Sequence, residues 1–244
     1  MPPRPIALPP STLGPLLALF AHDLRNPLSA LLTNLSFVES LPTVRDDESL
    51  AGALGDCVVA SETLRRLIAN LDVVALVLEG LESHPRALVV ADLVRECVGQ
   101  LESAATMQGS SFSVDTGPPG LEALADPELS ARALENLLAN AIVHGPPGRA
   151  VTVRVQADPP DFVRVVIEDA GRPVPANERE ELFTAQGQLR AHAGAARYGR
   201  GLGLFVAAAA AASIGGQIDV EDVPGLGASE PGCRFRLRLP ARKR

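Results

Sequence analysis

LALFAHDLRNPLSALLTNLSFV, residues 17–38, sets apolar side chains at Leu17, Ala21, Leu24, Leu28, Leu31, Leu35 and Val38. These alternating steps of four and three are the period of a helix that lays one stripe against a partner helix. After the break LPTVRDD the same steps resume at Leu50, Leu54, Cys57, Ser61, Leu64, Ile68, Leu71, Ala75 and Leu78, ending near Gly80. The pattern predicts a long antiparallel helical hairpin. Helices of roughly 27 to 35 residues run ~40 to 50 Å at 1.5 Å per residue, and two such seams have too few partners to be buried by each other. A homodimer is therefore expected, with two hairpins forming a four-helix bundle.

Outward from the hairpin, five prolines among residues 1–14 read as a flexible lead-in. The apolar run that follows is faintly like a signal peptide, but prolines interrupt it and no A-x-A site follows. The 244 residues have room for two modest domains. With 46% hydrophobic residues against 21% charged and a mean hydropathy of +0.15, the chain is too apolar to be disordered. Aromatics are 3% with no Trp, so Leu, Val and Ala must build the core, and the composition disfavours platforms for stacking bases or sugars. A net charge of −7 opposes a surface that grips nucleic acid. No apolar stretch approaches the ~18 to 20 residues of a membrane span. Cys57, Cys97 and Cys233 are odd in number, far apart and without ligand spacing, which argues against a disulfide framework or zinc site. A reducing, cytoplasmic location is expected.

Past HPR, near Pro85, the texture becomes short strands mixed with helices, an α+β layout. RALVV reads as a strand, then a helix from Asp92 to about Met107, strands at SFSVDT and LEALAD, and a helix over Pro127 to His144. AVTVRVQA and FVRVVIEDA alternate and are joined by DPPD, predicting an antiparallel pair. Arg172 to Arg200 reads as loop-rich, Gly201 to Ile214 as an Ala-rich helix, and QIDVED and CRFRLRLP as the last strands. The expected domains are 1–14 lead-in, 15–82 hairpin and 86–240 second domain.

His22 falls one step outside the seam, which places its ring on the exposed side beside Asp23. A neutral imidazole can attack as a nucleophile, and a carboxylate accepting its other N–H fixes the tautomer and stabilises the cation formed. Pro27 removes an amide proton and crowds the carbonyl of Asp23 one turn earlier, loosening the helix there.

AHDLRNPL, residues 21–28, resembles the phosphoacceptor box of two-component sensor histidine kinases, H-[DE]-L-[RK]-[TN]-P-L, without a departure. ALENLLANAIVH resembles that family's N-box, with Asn136 and Asn140 four apart on one helical face. The resemblance makes Asn140 a ligand of Mg²⁺ already held by ATP phosphates. It makes Asn136 the counterpart of a glutamate base in hydrolysing relatives, so Asn suits transfer to protein. His144 would line the nucleotide pocket. Val143 stands where the family has Lys.

EDAGRPVP resembles the G1 box, in which Asp169 accepts the adenine amino proton and Gly171 lets the backbone come close. Pro173 replaces the second glycine. ELF resembles an F-box at Phe183, with Gln186 where a second aromatic is usual. GRGLGL, Gly199 to Leu204, resembles the G2 box, whose Gly199, Gly201, Leu202 and Gly203 would bring helix amides to phosphate. It is no dinucleotide fingerprint or P-loop, lacking the leading parallel strand and the Lys. Lid arginines Arg190, Arg197 and Arg200 are candidates for the terminal phosphate.

The ordered motifs, over residues 15 to 240, imply a GHKL-type ATPase α/β sandwich after the hairpin. They imply ATP and Mg²⁺ as cofactors, autophosphorylation of His22, and transfer to an aspartate on a response-regulator receiver domain. Phosphatase action on the regulator is also implied, with Asn26 orienting the water. No sensor is legible, so a separate sensory partner is expected. The alternative is a phosphotransferase or scaffold that keeps the bundle but binds ATP poorly.

Overall fold

The computed structural model describes residues 10–40, 47–79, 83–193, 202–224 and 232–243. Helices α1 (Pro10–Ser40) and α2 (Asp47–Glu79) pack against each other. Helix α1 begins at Pro10, inside the expected lead-in. A proline at the first helical position lacks an amide proton that would be unpaired anyway, and its fixed φ already suits the helix. Phe20, Ala53, Cys57 and Ala60 are buried by this packing and by what sits on it. Leu17, Leu28, Leu32, Leu35, Leu54, Val58 and Ile68 stay exposed.

The second unit opens with β1 (Arg86–Val89) and α3 (Val90–Met107), which starts two residues before the predicted Asp92. Then come β2 (Ser111–Asp115), β3 (Glu122–Ala125), α4 (Pro127–His144), β4 (Ala150–Asp158) and β5 (Phe162–Asp169). Helix α5 (Ala185–Ala193) lies within the segment expected to be loop, preceded by a 3₁₀ turn at Glu181–Phe183. Its sequence AQGQLRAHA has no sustained apolar stripe; it is anchored by Gln188, fully buried, whose Nε2 donates to the Leu182 carbonyl. Tertiary burial decided this helix, and periodicity could not. Helix α6 (Gly203–Ser213), β6 (Gln217–Val223) and β7 (Gly232–Pro240) complete the chain.

The main sheet runs β2-β4-β5-β7-β6, parallel only between β2 and β4, and β1 pairs with β3 separately. Strands β4 and β5 pair antiparallel as expected. On β7, Cys233, Phe235, Leu237 and Leu239 point into the core. The intervening Arg234, Arg236 and Arg238 reach Glu168 on β5, Glu221 and Asp219 on β6, and Asp158 two strands away on β4. Such partly solvated pairs contribute at most about 1 kcal/mol each, but they fix which face meets water. Against the sheet, α4 packs between α3 and α6. The alanines of α6, buried at Ala207 and Ala209 to Ala211, allow α4 and α6 a close approach.

Asp126 sets the start of α4. Its Oδ1 accepts from the amides of Glu128 and Leu129 at 3.0 and 3.2 Å, Pro127 follows, and its Oδ2 accepts from the His84 amide at 2.8 Å. One capping carboxylate thus ties the segment leading out of the hairpin to the helix that carries both candidate asparagines.

Candidate functional site

The interior end of α4 faces α2. Asn136, 1% exposed, exchanges two hydrogen bonds with Asn70, also 1% exposed: Asn70 Nδ2 donates to Asn136 Oδ1 at 2.9 Å, and Asn136 Nδ2 donates to Asn70 Oδ1 at 2.8 Å. Asn136 Nδ2 also donates to the Arg132 carbonyl. The first residue of α6, Gly203, comes so near that a Cβ there would sit 3.0 Å from Asn136 Oδ1. Asn136 thus joins α2, α4 and the start of α6. Asn70 was not legible as functional, because a single Asn on a helix carries no spacing signal.

Truncating Asn70 leaves Asn136 Oδ1 buried without the donor it now accepts from, at a cost of about 1 to 3 kcal/mol. Asn70→Ala is expected to lower stability by that amount in denaturant unfolding. An unchanged midpoint would show that the pair holds nothing together.

Beside this pair lies a cavity of about 240 Å³. Asp23, Asn26 and Pro27 of α1 wall one side, Asn140, Val143 and His144 of α4 another, and Leu202 and Gly203 a third. Asn140 is half-buried and turned into this space, where a neutral amide oxygen suits a hard cation. Gln188 also lines it, with Oε1 buried and unpaired among the described residues. Asp23 is half-buried, and the side chain of His22 lies outside the described residues, although its backbone belongs to α1. Gly199, Gly201, Arg197 and Arg200 also lie outside them. Helix α6 opens at Gly203 with Leu202 preceding it, two residues later than predicted. Arg190 pairs with Glu181 at 3.2 Å, so this candidate phosphate ligand is engaged elsewhere.

Asp169 and Gly171 do not line that cavity but adjoin it across the end of α4. Asp169, at the end of β5, is 2% exposed; its Oδ1 accepts from the Gly171 amide at 2.8 Å and its Oδ2 has no partner among the described residues. Burial pushes its carboxyl up to about 7, and the Gly171 amide works weakly against that. Gly171 is required for space: a Cβ would stand 2.5 Å from Asp169 Oδ1 and 2.7 Å from the His144 carbonyl oxygen. An orphaned acceptor in an apolar setting is what a ligand amino group would satisfy. Phe183 packs edge-on against Phe235 with ring centroids 6.4 Å apart, a core role that does not call for a second aromatic at the exposed Gln186.

Residues 125–243 match the family described as Histidine kinase-, DNA gyrase B-, and HSP90-like ATPase. The signal transduction histidine-protein kinase/phosphatase MprB of Mycobacterium sp. (strain KMS) is 31% identical over 229 residues, which is 91% of this chain and 42% of that protein. The chain belongs to the two-component sensor histidine kinases. The chain also matches a solved mycobacterial sensor histidine kinase MprB, with TM-score 0.55 and 25% identity over 66% of this chain and 100% of that one. Full-length ShkA in complex with AMPPNP matches with TM-score 0.61 and 21% identity, over 93% of this chain and 46% of that one; at that identity it shows the fold alone. The chain spans less than half the length of the MprB relatives it matches. Among the described residues, no helix is long and apolar enough to cross a membrane.

Proposed function

We propose that this histidine kinase phosphorylates its own His22 from ATP and passes the phosphoryl group to an aspartate of a response regulator. The observation that carries the reading is one cavity shared by the His22 helix, through Asp23, Asn26 and Pro27, and the N-box helix, through Asn140 and His144. The nucleophile's helix and the phosphate-binding helix thus face each other across a space that a phosphate chain can enter. Asp169 Oδ2 would accept the adenine amino proton, and the amides opening α6 would meet phosphate. Asn140 would hold Mg²⁺, which supplies charge neutralisation at the phosphates when bound.

A free ring nitrogen of His22 attacks the terminal phosphorus, the bond to the ADP oxygen breaks, and ADP leaves. Asp23 steadies the imidazolium through its remaining N–H. Catalysis is mainly positioning and electrostatics. In the reverse role toward the regulator, Asn26, exposed on the cavity wall, orients a water for dephosphorylation. Incubation with terminally labelled ATP tests the kinase reading: the label should be acid-labile and alkali-stable, as a phosphoimidazole is. Label stable to acid, or none, would overturn it.

A homodimer and cytoplasmic placement belong to the same proposal. Leu28, Leu32, Val58 and Ile68 are 48%, 58%, 53% and 55% exposed on one hairpin, an apolar face that a second hairpin would cover. Because Leu28 and Ile68 are exposed within one chain, Leu28→Glu with Ile68→Glu is expected to yield a folded monomer where the unaltered protein is a dimer. Light scattering and circular dichroism check both halves; a monomeric unaltered protein at micromolar concentration would rule the bundle out.

A further inference from the structure

A second cavity of about 190 Å³ lies between α2 and the α3–α4 pair, and Arg66 and Val143 line both it and the site cavity. They therefore share one wall, Arg66 coming from the hairpin and Val143 from α4. Arg66 is half-buried there, whereas Val143 is 66% exposed and offers no charge. Near Arg66 the buried carboxylate is Glu135, but Arg132 already holds its Oε2 at 2.6 Å. Burial pushes the Arg66 guanidinium below its usual range, with Glu135 and Asp23 opposing that, so an anion would be welcome beside it. Among the described residues, the site cavity's ionisable lining is Asp23, His144 and Arg66, and of these Arg66 carries the permanent positive charge.

We propose that Arg66 of the hairpin is the cation that meets the terminal phosphate of ATP, supplying from α2 the charge that Val143 of α4 does not bring to the same cavity. The inference rests on the kinase reading above. Its geometry makes a distinction: Arg66 sits on the side of Asp23 and Asn26, toward which the phosphate to be transferred must point, and Asn140 and the start of α6 lie behind. ADP, ending one phosphate short, would not reach it. The chain would then sense the terminal phosphate only while the catalytic unit rests on its own hairpin.

Calorimetric titration of ATP and ADP with Mg²⁺ into the full chain tests this. Arg66→Gln is expected to weaken ATP by roughly tenfold or more while ADP changes by less than about twofold, since a charge-assisted contact to the terminal phosphate is lost. Val143→Lys, at an exposed position that tolerates change, should restore much of the ATP affinity on the Arg66→Gln background and gain clearly less when Arg66 is present. Equal weakening of ATP and ADP, or the same gain from Val143→Lys in both backgrounds, would overturn the proposal. If Arg66→Gln fails to fold, Arg66→Met, which keeps the apolar stem and removes the charge, completes the same comparison with and without Val143→Lys. Failure of the unaltered protein to bind either nucleotide would instead overturn the kinase reading itself, a separate result.

Discussion

His22→Ala is expected to reduce covalent labelling from ATP to background while ATP affinity stays within about twofold. The two functions are carried by different elements. The candidate nucleotide contacts lie on α4, at the end of β5 and at the start of α6, and His22 lies on α1 across the cavity. Removing an imidazole from a helix whose neighbouring turn is lined by Asp23, Asn26 and Pro27 takes away the attacking atom and no nucleotide contact. Asn26→Ala should behave oppositely in one respect, leaving labelling of His22 in place and slowing loss of phosphate from the regulator. A His22→Ala protein that still takes up acid-labile phosphate would mean that another histidine is the acceptor.

Most of the secondary structure was legible because two periods are written plainly in the chain. Steps of four and three set out both hairpin helices, and α4 runs from Pro127 to His144 as read, since Asp126 and Pro127 mark its start and Gly145 its end. Strict alternation set out β4, β5 and β7. What was not legible depends on partners distant in sequence. Helix α5 is held by a buried glutamine and a 3₁₀ turn, neither of which leaves a periodic trace. The resemblance placed Asn136 in the nucleotide site, but its hydrogen-bond partner Asn70, 66 positions earlier, left no trace in the spacing. Arg66 could not be singled out either, because it shares a cavity lining with Val143, a relation that only the folded chain creates.

The placement of Asp169 leads to the other large effect, Asp169→Asn, which is expected to weaken ATP roughly 100-fold, the loss of a charge-assisted contact and its replacement by a repulsive one. Oδ1 already accepts from the Gly171 amide, so the amide oxygen of an asparagine would keep that bond and turn its NH₂ toward the pocket. A donor would then face the adenine amino group where the unpaired Oδ2 now stands. Protonation does the same thing reversibly. With the carboxyl pushed up to about 7 by burial, a falling pH places a proton on the free oxygen and converts the acceptor into a donor. Affinity should therefore rise with pH through neutrality, by roughly tenfold from pH 6 to pH 8, because binding of the amino group requires the ionised form. The triphosphate has its own ionisation in this range, but it is common to both proteins, so the ratio of affinities between the unaltered protein and Asp169→Asn isolates the carboxyl. That ratio should be near its minimum at pH 6 and grow toward pH 8. Calorimetry at several pH values reads it directly, and a ratio that stays constant would show that Asp169 does not receive the adenine amino proton as a carboxylate.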